Sequence, residues 1–483
     1  MIETSKIAGL VCPGCHGDLA STQADLLCCP RCLGRYPLVD GIPSFVPGGP
    51  RASTASDSVD LTVLLVSPSE DSMAGLVARL QTQMADLNIR HELLPIDRSR
   101  APSFVEEVRG RHILTLDREG ISNPAVVPLL WQARDRADVV IASPHIGSRG
   151  EASRPIRSAL ERALNATYRR ALSLPVRDVI SGSRIYRREA LLGATPRLTD
   201  SASLAELLIR AVAAGFTVTE IPAAPNGSGR GQRRVARRDH GILPLSTFYA
   251  LWKLRNSIAS ADYDARAYDS IVPLQRYWQR RRYRVIAEAA RGYSSVLDVG
   301  CGSSRILSAH QGMIGLDIQL HKLRYARRYG RPLVHGSIFA LPFEEGCFDC
   351  VICSEVIEHI PAEEQVFDEL IRVLKPGGRL ILGTPDYDRW RWRALEWLYA
   401  RVAPGGYADE HITHYSRANL QRYLESRGLL VESVDYVCGA EMIFRLRKAE
   451  SIPAQDNKVA VSAGLRVEHS VGDGRLNRRS RVN

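Results

Sequence analysis

The stretch that decides the fold is Ser294–Ser304, which reads SSVLDVGCGSS. Its segment VLDV is an apolar β-strand with Asp298 near its end. Gly300 and Gly302 follow at once, and glycine lets a backbone adopt positive φ angles and approach a ligand closely. We expect a helix after this turn. A Gly-x-Gly turn alone is weak evidence for a ligand site, so the next strand has to decide the interpretation.

The next strand, MIGLDI (Met313–Ile318), carries Asp317 near its end, 17 positions after Gly300. An acidic residue at that place can accept hydrogen bonds from both hydroxyls of a ribose. Position 305, where a third glycine would complete a diphosphate-binding turn, holds arginine. The pattern therefore favours a nucleoside ligand without a diphosphate.

The following segments continue the alternation of strand and helix. Residues His335–Ile360 contain a loop, with Ser337 and Ile338 placed to meet an adenine ring, then the strand and helix start FDCVICSEVIEHI. A helix is predicted over Val366–Leu374, and KPGGRLILGTP (Lys375–Pro385) is predicted as a turn and strand. The sequence therefore predicts an α/β sheet in this part of the chain.

The order and spacing of these motifs over residues 264–447 resemble the class I S-adenosylmethionine-dependent methyltransferases, of the type 11 or ubiquinone O-methyltransferase kind. The resemblance implies a Rossmann-like sheet that binds S-adenosylmethionine. Ser337 stands where this family often has aspartate, and its oxygen can still accept a hydrogen bond from the adenine amino group. The cofactor-binding residues that the resemblance implies are Asp298, Gly300, Gly302, Asp317, Ser337, Ile338 and Ser354.

The acceptor side of such a site needs alignment more than acid–base chemistry, because the sulfonium is already activated. An oxygen acceptor would benefit from a general base. The candidates for that catalytic role are His359, His411 and His414. The phrase HITHYSRANLQRYLESRGL, which contains two of them, resembles the C-terminal part of small-molecule O-methyltransferases. An acceptor lid or ordinary helix packing would each explain Trp390, Trp392 and Trp397.

The N-terminal segment, residues 1–47, carries two C-x2-C pairs. Four thiolates at this spacing predict a closed tetrahedral zinc site, and a redox dithiol is less favoured because no βαβ unit surrounds the pairs. The predicted ligands are Cys12, Cys15, Cys29 and Cys32, with Cys28 as the alternative to Cys29. With the phrase YPLVDGIP (Tyr36–Pro43), the segment resembles the short zinc-ribbon family that includes an activator subunit of RNA and protein methyltransferases. The resemblance implies a structural or partner-docking role.

Residues 48–60 read as a linker, and residues 61–258 alternate strands with helices, which predicts a parallel α/β sheet. PVRDVISGSRIYRREAL (Pro175–Leu191) resembles family 2 glycosyltransferases of the dolichyl-phosphate mannosyltransferase kind and implies a GT-A-like domain. Asp117 and Glu119 would then hold Mg²⁺ or Mn²⁺ against a nucleotide sugar. The first acidic pair of that family is reduced to Asp97, and Arg118 separates the two carboxylates, so an inactive domain is favoured.

The charge and hydropathy of the whole chain limit the kinds of partner that it can have. The chain has 483 residues and a formal net charge of +11, with one arginine cluster in residues 230–238 and another in residues 276–284. Such clusters suit a phosphate-bearing partner or simply a solvated surface. Without a signal-peptide pattern we expect the cytoplasm, and the helical pattern of Leu243–Leu254 would suit peripheral contact with the inner membrane face. Residues 448–483 read as a disordered tail.

Three functional hypotheses follow from these patterns. The first is methyl transfer to a small-molecule acceptor or to a glycan or lipid-linked acceptor. The second is a bifunctional enzyme that adds and then methylates a sugar on a polyprenyl-phosphate carrier. The third is an RNA-associated methyltransferase that its zinc ribbon and arginines guide to nucleic acid.

Overall fold

The computed structural model describes residues 7, 9–23, 25–47, 59–66, 73–96, 107–116, 125–143, 146, 155–192, 201–223, 243–402 and 411–450. These residues form three sheets of four, six and seven strands. Among them, no helix combines the length and the apolar character that crossing a membrane requires. The predicted carboxylates Asp97, Asp117 and Glu119, the arginines of 230–238 and the tail from residue 451 lie outside the described part of the chain.

The first sheet belongs to the N-terminal module, residues 7–47. Its strands, in spatial order, are β1 (Ala20–Gln23), β2 (Leu26–Cys28), β3 (Arg35–Val39) and β4 (Ile42–Pro43), and all neighbouring pairs are antiparallel. The module has few apolar side chains of its own. Its buried residues Ile7, Leu27 and Phe45 belong to the same apolar cluster as the C-terminal sheet.

The second sheet forms the middle domain, and its order is β10-β8-β9-β7-β5-β6. Its strands are β5 (Leu61–Val66), β6 (His91–Ile96), β7 (His112–Leu116), β8 (Val139–Ser143), β9 (Arg184–Arg187) and β10 (Val218–Pro222). Its helices are α1 (Met73–Asp86), α2 (Val126–Ala133), α3 (Pro155–Ala171), α4 (Arg188–Leu192), α5 (Ser201–Ala213) and α6 (Leu245–Arg255). The prediction of a parallel sheet is wrong at β9, which runs antiparallel to β7 and β8.

The strand β9 lies inside the stretch that resembles a glycosyltransferase. Its short run RIYR is too brief for a periodicity argument, which explains why no strand was predicted there. Helix α6 confirms the predicted helix at Leu243–Leu254. It buries Leu251 and Arg255 but leaves Leu245, Tyr249 and Trp252 exposed. Contact of that exposed face with a membrane stays a prediction.

The third sheet forms the C-terminal domain, and its order is β13-β12-β11-β14-β15-β17-β16. Its strands are β11 (Val296–Val299), β12 (Met313–Asp317), β13 (Leu333–His335), β14 (Phe348–Ser354), β15 (Leu374–Pro385), β16 (Leu429–Val437) and β17 (Glu441–Lys448). Its helices are α7 (Tyr263–Tyr268), α8 (Pro273–Ala289), α9 (Leu320–Ala326), α10 (Glu364–Val373), α11 (Trp390–Val402) and α12 (Arg417–Ser426). β17 runs antiparallel to both of its neighbours, β15 and β16, whereas β11 to β15 are mutually parallel and present their carboxyl ends at one edge.

Two helix starts in this domain differ from the prediction. A short 3₁₀ turn, Arg305–Ser308, follows the glycine-rich turn where an α-helix was expected. A second 3₁₀ turn, Ile357–His359, follows β14, and the α-helix begins only at Glu364. Each short turn holds its residues close to the strand ends. The boundary predicted at residue 448 is also slightly early, because β17 includes Lys448.

The N-terminal module contacts the edge strand β13 of the C-terminal sheet through an isolated β-bridge between Ser44 and His335. The backbone N–H of Phe45 donates to the carbonyl of His335 at 2.8 Å, and Ser44 Oγ lies 2.7 Å from His335 Nδ1. Asp40 forms an ion pair with Arg324 at 2.6 Å. These contacts hold β4 beside β13, two residues before the loop that contains Ser337.

Candidate functional site

A cavity of about 660 Å³ opens at the carboxyl ends of β11, β12 and β14. Open parallel sheets bind their ligands at this edge, where the strand order reverses. The structure brings all the predicted cofactor residues to its walls: Asp298, Gly300, Gly302, Asp317, Ser337, Ile338 and Ser354. Their convergence follows from the topology, because β11 lies between β12 and β14 in the sheet.

The glycine turn needs glycine for two separate reasons. Gly300 and Gly302 have φ angles of 71° and 53°, which side chains rarely adopt. A Cβ on Gly300 would also lie 2.2 Å from Val356 Cγ2. The turn therefore packs against the segment that follows β14 and leaves its backbone exposed to the cavity.

Asp317 closes the turn from the neighbouring strand. Its Oδ2 accepts a hydrogen bond from the Gly302 N–H at 2.7 Å, and its Oδ1 accepts one from the Gln319 N–H at 2.7 Å. Burial raises the pKa of this carboxyl above its ordinary value. The two N–H groups fix both oxygens at the cavity wall, and each oxygen keeps acceptor capacity for a ligand hydroxyl.

Asp298 stands beside it at the end of β11 and is 3% exposed. Its Oδ2 is buried and has no hydrogen-bond partner among the described residues. Burial, together with the nearby charge of Asp317, raises the pKa of Asp298 to about 8. The neutral acid is therefore favoured at pH 7 and can donate a hydrogen bond.

A third aspartate, which the sequence did not indicate, completes this end of the cavity. Asp264 Oδ2 accepts from the N–H and Oγ of Ser303, both at 3.1 Å, and lies 3.2 Å from Lys322 Nζ. Burial disfavours its charged form, but Lys322 and Ser303 outweigh burial and lower the pKa of Asp264. Helix α7, which carries Asp264, has no recognisable motif, so no sequence signal pointed to it.

Between the two ends of the cavity, a buried ion network fixes the wall. Arg282 binds Glu355 at 2.9 Å and Glu441 at 2.7 Å, and Trp278 Nε1 donates to Glu441 at 2.6 Å. Arg282 belongs to an arginine cluster for which a phosphate-bearing partner was considered. Its guanidinium is instead bound inside the domain, with only 14% of the side chain exposed.

The opposite end of the cavity holds two of the three predicted catalytic histidines. The rings of His359 and His411 lie 4.8 Å apart, and His411 Nδ1 lies 2.7 Å from Tyr387 OH. Trp392 stacks on His411 at 5.7 Å. Burial and the two neighbouring histidines lower the pKa of His411 to about 3, so its imidazole is neutral at pH 7.

His414 is separated from the other two histidines. Its ring stacks on Tyr387 at 3.9 Å, its side chain is exposed, and it does not line the cavity. The tryptophans divide in a similar way. Trp392 lines the cavity, whereas Trp390 and Trp397 are 68% and 58% exposed and do not.

The cysteines of the N-terminal module form a separate cluster. The Sγ atoms of Cys12, Cys15, Cys29 and Cys32 all lie within 4.8 Å of one another, and Cys28 is not part of the group. Tyr36 OH lies 3.0 Å from Cys12 Sγ. Burial opposes ionisation of Cys12, but this contact and backbone N–H groups outweigh it and lower the pKa to about 6.

Comparison with known proteins gives one family match: residues 297–382 fit the model of a methyltransferase domain. A candidate methyltransferase of Encephalitozoon cuniculi is 31% identical over 172 residues, which are 35% of this chain and 79% of the relative. The ubiquinone/menaquinone biosynthesis C-methyltransferase of Hahella chejuensis is 27% identical over 207 residues, which cover 37% of this chain and 82% of that protein. Two other curated relatives are matched over only 46% and 54% of their own length.

A solved structure is also similar. It is a S-adenosylmethionine-dependent methyltransferase of Thermotoga maritima, 20% identical, with a TM-score of 0.31 over 36% of this chain and 94% of that chain.

Proposed function

This chain belongs to the S-adenosylmethionine-dependent methyltransferases, and we propose that its cavity transfers the methyl group to a small-molecule acceptor. One observation carries the proposal. A single cavity joins the Asp317 carboxylate and the glycine turn at one end to His359 and His411 at the other. A donor and an acceptor could therefore meet in line within one cavity, which is the main requirement of this reaction.

The end of the cavity that contains Asp317 and the glycine turn would bind the nucleoside of the methyl donor. Asp317 would accept hydrogen bonds from the ribose hydroxyls, and Ser337 with Ile338 would contact the adenine. The turn of Gly300 and Gly302 would allow close approach of the methionine part. S-adenosylmethionine supplies a methyl group already activated by its sulfonium, so these residues need only bind and orient it.

The acceptor end is more apolar. Trp392, Leu395 and Ile412 line it beside the histidine pair. Apolar walls with few polar groups are typical of sites for small organic ligands. The Hahella chejuensis relative is named a C-methyltransferase of ubiquinone and menaquinone biosynthesis. We infer that this chain acts on a small, partly apolar molecule with an oxygen near the histidines.

The geometry separates the three histidines for which a catalytic role was predicted into two groups. His359 and His411 are assigned to the acceptor side, and a general base among them stays a prediction. His414 has no role in this proposal because it lies outside the cavity.

We further propose that the four-cysteine cluster holds a structural zinc ion. Four thiolates that converge within 4.8 Å match the ligand set of closed zinc sites. The ion would stabilise a module that packs its few apolar residues into the C-terminal core. The module also fixes His335, two residues before Ser337, so it would support the loop that contacts the adenine.

The test is methyl transfer from labelled S-adenosylmethionine into a cell extract separated into small-molecule, lipid, glycan, RNA and protein fractions. We expect label in the small-molecule or lipid fraction and none with Asp317→Ala. Label in the lipid-linked glycan fraction would favour the bifunctional enzyme, and label in RNA would favour the nucleic-acid hypothesis. Absence of label from every fraction would contradict the proposed function.

A further inference from the structure

A second cavity, of about 810 Å³, lies between the middle domain and the C-terminal domain, and its lining residues differ from those of the methyltransferase cavity. Six arginines line it: Arg111, Arg136, Arg187, Arg324, Arg327 and Arg328. Three carboxylates line it as well, those of Asp135, Asp138 and Glu189. Its walls therefore carry more positive than negative charge, which favours an anionic ligand.

The middle domain contributes the edge of its sheet at which the parallel strands begin. Arg111 and Asp138 directly precede β7 and β8, and Arg187 ends the antiparallel strand β9, so all three meet at this edge. The predicted carboxylates Asp117 and Glu119 follow the other end of β7 in the sequence, and this strand of five residues is about 17 Å long. The second cavity is therefore separate from the place at which a nucleotide sugar was expected.

The C-terminal domain covers this edge with the end of α9 and the 3₁₀ turn Arg327–Tyr329 that follows it. Gly215 of the middle domain lies so close to this helix that a Cβ on it would be 2.2 Å from the carbonyl oxygen of His321. Its φ angle of 85° also favours glycine. The two domains are thus in close contact beside the cavity, and packing holds its walls in place.

Three of the arginines are held by carboxylates of the protein. Asp138 binds Arg187 at 2.9 Å and lies 3.7 Å from Arg327. Arg324 binds Asp40 of the N-terminal module at 2.6 Å. These ion pairs fix three guanidinium groups in the wall. Because Asp138 is shared by two of them, one from each domain, positive charge is left in excess.

Two other arginines have no carboxylate partner among the residues that the structure describes. Arg136 ends the 3₁₀ turn Arg134–Arg136, and its side chain is exposed. The guanidinium of Arg328 lies 3.5 Å from the ring centre of Tyr325 and donates to its hydroxyl at 2.8 Å, which orients the charge without neutralising it. One of these two arginines comes from each domain, so a ligand between them would bridge the domains.

The imidazole of His112, which also lines the cavity, is affected by the same charges. Burial makes the largest contribution and lowers its pKa. The charge of Asp135 opposes this effect, and the charges of three nearby arginines add to it. The imidazole is therefore neutral at pH 7 and can donate one hydrogen bond to an anion.

We propose that the second cavity binds a small phosphate ester that carries two or more negative charges. Guanidinium groups form paired hydrogen bonds with phosphate oxygens, so arginines suit this ligand better than lysines would. A cavity of this volume is in the range of sites for small organic molecules, whereas a single inorganic ion would fill little of it. The site is independent of the methyl-transfer site and goes beyond the proposed function.

The test is calorimetry of the full chain with inorganic diphosphate at low ionic strength, without an added divalent cation. We expect one site, binding that weakens as salt is added, and about tenfold weaker binding in Arg136→Ala and in Arg328→Ala. Arg134→Ala is the matched control, because it removes an arginine of the same 3₁₀ turn that does not line the cavity. Asp117→Ala controls for the pair predicted in the middle domain. Both controls should bind as the native chain does.

A second titration compares glucose 1-phosphate with inorganic phosphate, which carry similar charge. The ester should bind more tightly, because the cavity has room for the sugar, and equal affinities would refute an organic ligand. No binding of diphosphate, unchanged binding in both arginine variants, or loss of binding in Asp117→Ala alone would overturn the proposal.

Saturation with S-adenosylhomocysteine separates this site from the proposed function. Diphosphate should bind the saturated chain as it binds the free chain. Loss of diphosphate binding on saturation would place the anion in the methyltransferase cavity and overturn the proposal. A chain that binds diphosphate in this way but does not bind S-adenosylhomocysteine would contradict only the proposed function.

Discussion

Buried polar groups behave differently in the middle domain and in the cavity of the C-terminal domain. In the middle domain, Asp138 accepts from the N–H and Oγ of Thr217 and binds Arg187 at 2.9 Å. Asp178 likewise accepts from Ser143 Oγ and from the Ser181 N–H. These carboxylates have their partners within the protein and act as internal connections.

Around the cavity, the described structure leaves several buried oxygens without a hydrogen-bond partner. They are Asp298 Oδ2, Ser354 Oγ, Glu355 Oε1 and Glu358 Oε1. Comparable gaps in the middle domain are Gln83 Oε1 and one nitrogen each of Arg184 and Arg188, whose guanidiniums are bonded elsewhere. Buried polar groups are nearly always satisfied in native proteins. Tyr423 OH and Asp435 Oδ2 are also without a partner, but they lie away from the cavity. The unpartnered oxygens of Asp298, Ser354 and Glu355 line it, so a bound ligand could satisfy them.

The largest effect should come from breaking a satisfied pair. Arg255, 0% exposed at its side chain, binds Asp262 at 2.7 Å, and Asp262→Ala would leave this buried guanidinium without its counter-charge. We expect a loss of about 3–5 kcal/mol in the free energy of unfolding, measured by urea denaturation. The matched control is Asp269→Ala, which removes an exposed partner of Arg280 and should cost less than about 1 kcal/mol. Equal losses of unfolding free energy in the two variants would contradict the distinction between buried and exposed ion pairs.

An intermediate effect concerns Asp298 and depends on pH. Because burial raises its pKa to about 8, the folded chain binds a proton that the unfolded chain releases above its ordinary pKa near 4. The contribution of this group is therefore complete at low pH and is lost as the pH rises through 8. Asp298→Asn should remove that loss and be about 1–3 kcal/mol more stable than the native chain at pH 8.

The control for this prediction is Asp349→Asn. The hydrogen bond from Lys375 lowers the pKa of Asp349, so its contribution is present at high pH and is lost on acidification. Its variant should thus be the less stable one at pH 8. Urea denaturation at several pH values measures how the free energy of unfolding of each variant depends on pH. The same sign of change in both variants at pH 8 would refute the assignment of Asp298 as a buried acid.

The smallest effect on stability separates two serines. Ser354 Oγ is buried at the cavity without a partner, so Ser354→Ala should change the free energy of unfolding by less than about 0.5 kcal/mol. It should still weaken S-adenosylhomocysteine binding by about tenfold, since one ligand hydrogen bond is lost. Ser143→Ala removes a bonded hydroxyl in the middle domain and should do the reverse. Thermal unfolding measures the stability of both variants, and calorimetry measures their binding of S-adenosylhomocysteine. Equal changes of both quantities in the two variants would contradict the prediction.

The sequence indicated which residues meet at the glycine-turn side of the cavity better than it indicated the others. Asp298, Gly300 and Asp317 sit at the ends of parallel strands, and sequence order with spacing is enough to bring such positions to one edge. Asp264 and Lys322 reach the cavity from two different helices, and Glu441 binds the cavity residue Arg282 from an antiparallel strand. The placement of all three depends on tertiary packing. No periodicity or motif encodes it.

The acceptor end was predicted in part for the same reason. His359 follows a predicted strand and lines the cavity, whereas His411 and His414 lie three positions apart and only the first does. In this segment before α12, the backbone bonds to Glu358 determine which histidine faces inward. The 3₁₀ turns after β11 and β14 were expected as α-helices, because hydrophobic periodicity cannot resolve turns of three or four residues.

Calorimetry with S-adenosylhomocysteine tests the central claim most directly. The native chain should bind this product with one site, and Asp317→Ala should weaken binding by about 100-fold, because two charge-assisted hydrogen bonds to the ribose are lost. Asp368→Ala, which removes a 53% exposed aspartate of helix α10, should bind as the native chain does. Circular dichroism of the three proteins confirms that they are folded alike. No binding by the native chain, or unchanged binding by Asp317→Ala, would contradict the account.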